Sequence, residues 1–243
     1  MGQSGQVGGR LGVLSRMRRE LKIALQSNLG SEYPAIIVGS MGRSGSSLVC
    51  NALSRGMARA RKLHLFGRYG QSLCRDSAWN LVDRSFRPGV VYKTHSLAEE
   101  LPNSADVRAV FVFGPASEAA LSVLSCRDRY GLAWIEEHFK HLRACGPFED
   151  LARRDVLRFE EQIDGWLAQK KVPLLALHYE HLWEHEEEIS DYVGFPVRLP
   201  ARRNRESRQR ISDDVACQVA ATYSALDAKI AGLSVCSVRG REA

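Results

Sequence analysis

Two short stretches hold the residues whose types and spacing could do chemistry. The first, Gly42-Arg43-Ser44-Gly45-Ser46-Ser47, follows an apolar run at 35–38 and precedes an apolar helical pattern. A strand, a glycine-rich turn and a helix in that order aim free backbone N–H groups and the positive helix end at one point, where anions bind, phosphates above all. The glycines let the backbone close around an anion, Arg43 adds a charge, and the Ser46 and Ser47 hydroxyls add donors. The loop is not the G-x-x-x-x-G-K-[ST] of nucleotide hydrolases: Ser46 follows Gly45, and the cation precedes the last glycine. The second stretch, Lys93-Thr94-His95, closes an apolar run at 90–92. Two residues apart, Lys93 and His95 would point the same way if the strand pitch persists. A histidine beside a phosphate site can take a proton from an alcohol, and a lysine there can neutralise charge on a leaving phosphate.

Positioning these residues requires a sheet. Apolar runs at 35–38, 90–92, 109–113 and 172–177 lack alternation, as strands covered on both faces of a parallel sheet do. Helical spacing separates or follows them. Leu11, Leu14, Met17, Leu21 and Leu25 mark a helix over 11–26, and Val156, Phe159, Ile163 and Trp166 mark another. A further helix follows Ser212-Asp213-Asp214, with Val215, Val219, Tyr223, Leu226 and Ile230 on one stripe and an acidic first turn. Strands alternating with helices predict an α/β fold with a mainly parallel central sheet. Residues 1–10 are expected to be disordered, 1–33 to form an N-terminal tail and helix, and 34–243 a single domain. In such sheets ligands sit beyond the C-terminal strand ends, where the loop after Val38 would lie.

Composition narrows the class. At 243 residues, 44% hydrophobic and 26% charged, the chain reads as a soluble globular protein. It has no run of the ~20 apolar residues that a membrane span needs. No apolar segment near Met1 reads as a secretory signal, and Gln6 stands where a myristoylation signal wants Ser or Thr. Six scattered cysteines, with no C-x-x-C pair, argue against a disulfide framework or zinc knuckle and for reduced thiols in a cytoplasm. A net charge of +6 suits a polyanionic ligand.

Taken with Leu101-Pro102, Ser122 and Tyr179-Glu180, the two stretches resemble a known family: the sulfotransferases that use 3′-phosphoadenosine-5′-phosphosulfate (PAPS). Their 5′-phosphosulfate loop reads like Arg43-Ser44-Gly45-Ser46-Ser47. The cytosolic branch carries Lys-Thr-His followed by Leu-Pro, as here. In the family a strand ends in an arginine, with a serine eight residues later, and both hold the 3′-phosphate. Here Gly114 takes the arginine's place and Ser122 the serine's. A later family strand ends in Tyr-Glu, with the tyrosine, matched by Tyr179, near the adenine.

The resemblance implies a P-loop-like sulfotransferase fold and sulfuryl transfer from PAPS, as co-substrate, to a hydroxyl of a small-molecule or carbohydrate acceptor. His95 would be the general base. Arg43, Lys93 and the loop from Gly42 to Ser47 would stabilise the developing charge, without a metal. Neither nucleic acid nor membrane is an expected partner. The charge missing at Gly114 falls to Arg127 or to the 202–210 run, with Arg202, Arg203 and Arg205 preferred, since the family has a basic segment near its C-terminus that reaches the 3′-phosphate. Leu48 stands where cytosolic members often carry a tryptophan against the adenine.

Three other readings stay open. Gly114 motivates a degenerate member of the fold that binds nucleotide without transfer. His181-Leu182-Trp183-Glu184-His185 spells H-x-x-E-H, and histidines at i and i+4 of a helix could share a zinc. Against zinc, Glu186-Glu187-Glu188 continues the stretch as an exposed acidic face. An ATP-using phosphotransferase is the weakest, because the loop has no lysine.

Overall fold

A computed structural model of the chain describes residues 6–202 and 211–240. Its strands are β1 (Ala35–Ser40), β2 (Arg75–Ser77), β3 (Val91–Lys93), β4 (Val107–Phe113), β5 (Leu174–His178) and β6 (Cys236–Arg239). They form one sheet in the order β2-β3-β1-β4-β5-β6. The pairings are parallel except β6, which runs antiparallel to β5. Around the sheet lie α1 (Gln6–Asn28), α2 (Ser46–Ala60), α3 (Gly67–Leu73), α4 (Ala116–Tyr130), α5 (Leu132–Leu142), α6 (Phe159–Ala168), α7 (Glu186–Val193) and α8 (Asp213–Ala231). The protein is therefore α/β with a mainly parallel central sheet, as the apolar runs predict.

Alternation along each central strand divides the core in two. Ile36, Val38, Val110, Val112, Leu175 and Leu177 pack on one face with Leu53 and Met57 of α2. Ile37, Ala109, Phe111 and Phe113 pack on the other with Ile163 and Trp166 of α6. Both faces are buried, so the strands read as continuous apolar runs. After β1 the chain lays β2 and β3 on one side, then crosses to β4 on the other. Loops leaving neighbouring strands diverge there, opening a crevice at the C-terminal end of β1.

The structure corrects several boundaries. Helix α1 starts at Gln6, inside the stretch 1–10 expected to be disordered. Its apolar stripe docks only in part, because Leu25 packs against the core while Met17 and Leu21 are exposed. Polar side chains attach it as well: Gln26 Nε2 donates to Leu73 O at 2.9 Å and Lys22 Nζ to Arg75 O at 2.6 Å. Helix α6 begins at Phe159, so Val156 lies before it; Arg158, at φ 59°, breaks the helical run between them. Strands β2 and β6 carry no apolar run, because each has only one strand neighbour and a partly open face. Among the described residues, no helix is long and apolar enough to cross a membrane.

Candidate active site

The loop leaving β1 turns sharply. Gly42, Arg43 and Gly45 have φ of 95°, 51° and 99°. At Gly45 the left-handed conformation coincides with a close approach: a Cβ there would overlap the ring of Tyr179, which follows β5. Only glycine meets both demands. Ser44 is buried, and its hydroxyl donates to Val112 O at 2.8 Å, tying the loop to β4 rather than standing ready for a ligand. Ser46 opens α2 and is buried; Ser47, one residue on, is exposed. Gly45 O accepts from the N–H groups of Leu48 and Val49, at 3.0 and 3.1 Å. The N–H groups of the first helical residues ahead of them have no partner within the helix and face the crevice with its positive dipole end.

The end of β3 supplies the second half. Strand geometry stops at Lys93, so the lysine and histidine reach opposite ends of the loop. Lys93 Nζ donates to Ser47 Oγ at 2.8 Å. His95 Nδ1 lies 3.3 Å from Ser40 O and 3.2 Å from Ser40 Oγ. A carbonyl can only accept, so the Ser40 O contact favours the tautomer with its proton on Nδ1 and Nε2 as the basic nitrogen. His95 is 5% exposed. Burial pushes its pKa well below 6.5, and the charges of Lys93 and, to a lesser degree, His138 push the same way. Burial also lowers Lys93, helped by Arg75 and Arg43. The backbone of this segment is pinned by α6: Gln162 Nε2 donates to His95 O at 2.8 Å and Trp166 Nε1 to Ser96 O at 3.2 Å.

Arg43 reaches across the crevice. Its Nε donates to Ser122 Oγ on α4 at 3.0 Å, and its guanidinium lies 5.7 Å from the Trp134 ring centre. Arg43, Ser122, Lys93, His95 and Tyr179 thus all meet the loop from Gly42 to Ser47 or its edges. Gly114, at the end of β4, sits where a Cβ would come 3.3 Å from Tyr179 Cβ. Arg127 lies 5.4 Å from the Phe148 ring centre, and Arg202 5.5 Å from that of Trp183. Arg203 and Arg205 lie outside the described residues. The zinc reading loses its geometric premise. His181 and His185 lie in a 3₁₀ turn (Tyr179–His185), where i and i+4 are about a third of a turn apart. Each pairs with its own carboxylate, Glu184 and Glu188, at 3.0 Å. Among the described residues no group of three His, Cys, Asp or Glu could hold a metal.

Sequence reasoning missed the wall opposite the loop. Trp134, His138 and His141 recur at helical spacing on α5, and that spacing was the available signal. His138 stacks on Trp134 at 4.7 Å and meets His95 edge-on at 5.8 Å. Trp79, after β2, stacks on His141 at 4.0 Å and on His95 at 5.6 Å, with Lys93 Nζ 5.7 Å from its centre. Indoles and imidazoles wall the crevice beside the basic nitrogen.

Fold and site together define an α/β protein with a glycine-serine turn at the switch point of its mainly parallel sheet and a buried histidine beside it. No protein-family profile and no curated protein sequence matches the chain. Among solved structures it is similar to a retinol dehydratase in a complex with retinol and PAP, at 16% identity and a TM-score of 0.42. The match covers 79% of this chain and 68% of that one. It assigns no role to any residue here.

Proposed function

We propose that this chain is a sulfotransferase that moves the sulfuryl group of PAPS to the hydroxyl of a small-molecule or carbohydrate acceptor. One observation carries the reading: His95, neutral and with its basic Nε2 left by the Ser40 contact, lies beside a loop that gathers Arg43, Lys93 and the N-terminus of α2. A base for an alcohol next to a site for an anion is the requirement of group transfer from a phosphate ester.

In this reading His95 Nε2 takes the acceptor proton as the acceptor oxygen bonds to sulfur in line. The bond from sulfur to the 5′-phosphate oxygen breaks, and its electron pair leaves on adenosine 3′,5′-bisphosphate (PAP). Lys93, Arg43 and the first N–H groups of α2 stabilise charge on the bridging and non-bridging oxygens. Ser122, which accepts from Arg43 Nε at 3.0 Å, serves the 3′-phosphate side.

Thermal unfolding with PAP, ATP and AMP tests the reading. PAP at about 100 times its dissociation constant adds roughly 2.7 kcal/mol to the native state and raises Tm. ATP and AMP at the same concentration raise it less. Equal shifts for all three, or none, contradict the assignment. Arg43→Ala is expected to weaken PAP binding about tenfold or more, because a charge-assisted donor is lost. Unchanged affinity by calorimetry would remove Arg43 from the site.

A further inference from the structure

Helix α5 brings an imidazole to the loop that no step above uses. His138 is 8% exposed and its Nε2 is buried without a hydrogen-bond partner among the described residues. That nitrogen lies beside the loop: a Cβ on Gly42 would stand 3.7 Å from it, with Leu142 Cδ1 and Cδ2 nearer at 3.0 and 3.3 Å. The other side of the ring is fixed by stacking on Trp134. A buried polar atom left unpaired is costly unless a ligand or a water completes it. The His95 ring, 5.8 Å away and edge-on, flanks the same space.

We propose that His138 Nε2–H is a second donor of the active site, hydrogen-bonding a non-bridging oxygen of the sulfuryl group held by the loop. The proposal rests on the sulfotransferase reading. Sulfuryl oxygens only accept, so a neutral imidazole reaches them only through an N–H. His138 stays neutral because burial first, then Arg43, Lys93 and His141, lower its pKa to about 3. It therefore adds a donor without adding a further cation to a site already holding Arg43 and Lys93. The two histidines divide the work: His95 offers a lone pair, because Ser40 O takes its proton, and His138 offers a proton. The site thereby distinguishes PAPS from PAP, which lacks the sulfuryl oxygens.

Calorimetry with PAPS and with PAP, on wild type, His138→Phe and His138→Gln, reads this directly and needs no acceptor. Phenylalanine keeps the ring stacked on Trp134 but removes the donor; glutamine places an N–H near the Nε2 position. His138→Phe should bind PAP as wild type does and PAPS about tenfold more weakly or worse. His138→Gln should recover most of the PAPS affinity. Retained PAP binding certifies that each variant is folded. Equal PAPS affinity for wild type and His138→Phe overturns the proposal and makes His138 a packing residue. If a variant does not fold, the wild-type protein decides: the His138 Nε2 proton resonance should move with PAPS and not with PAP, and identical spectra overturn the proposal. Wild type that binds neither nucleotide would instead overturn the sulfotransferase reading itself.

Discussion

His95→Ala is expected to lower PAPS-dependent transfer by about a hundredfold or more while PAP binding is retained, the scale of a lost general base. The base touches the acceptor proton, not the nucleotide, so affinity for PAP is spared. Radiolabelled transfer to a panel of hydroxyl acceptors, with calorimetry on the same variant, measures both. Full turnover would remove His95 from the mechanism. The pH profile supplies a second reading. A base works when deprotonated, and burial holds the His95 pKa well below 6.5. Hence kcat/KM should stay flat as pH falls through the usual imidazole range and drop only at lower pH; an acid limb near about 6.5 would contradict it. Stability has the same sign. The unfolded chain binds protons on these histidines first, so their contribution is full above the unfolded pKa and is lost as pH falls towards the folded value, about 3 for His138. Tm should therefore decline as pH is lowered through that window, and less so in His138→Phe.

Trp166→Ala should produce the largest loss of stability of any single change near the site. The indole is fully buried and stacks on Phe111 at 5.1 Å. It also lies so close to Gly39 that a Cβ there would overlap it. Removing such a side chain costs about 3–5 kcal/mol through lost burial and the cavity left behind. That is a large share of the roughly 5–15 kcal/mol by which domains are stable. The loss also frees Ser96 O, and with it the segment holding His95, so residual activity should fall more than the folded fraction does. Chemical denaturation monitored by circular dichroism reads the first effect. A stability change under about 1 kcal/mol would mean that the cavity collapses without cost.

Much of the frame was legible without coordinates because its signals are local. An apolar run without alternation is the mark of a strand buried on both sides, and β1, β3, β4 and β5 each follow one. Helix α8 likewise starts after Ser212, with Asp213 and Asp214 in its first turn and Val219, Tyr223, Leu226 and Ile230 buried. The short outer strands β2 and β6 were not legible, since their pairing partners, not their side chains, make them strands. In α1 the apolar spacing accounted for only part of the attachment: Leu25 packs on the core, and Gln26 and Lys22 found carbonyl partners on the elements beneath.

By itself, the order of residues determined the two halves of the candidate site: a glycine-serine turn after one buried strand and Lys93-Thr94-His95 after another. Such turns are set by backbone freedom and hydrophobicity within a few residues. Tertiary structure alone decided which groups share the crevice. It brought Arg43 to Ser122 across 79 residues and seated Tyr179 on Gly45, and it set His138 against both Gly42 and His95. It also set His95 Nδ1 against Ser40, which favours Nε2 as the basic nitrogen. Those matters depend on burial and on partners distant in the chain. A desolvated ring changes its proton affinity only once the sheet and helices have closed around it.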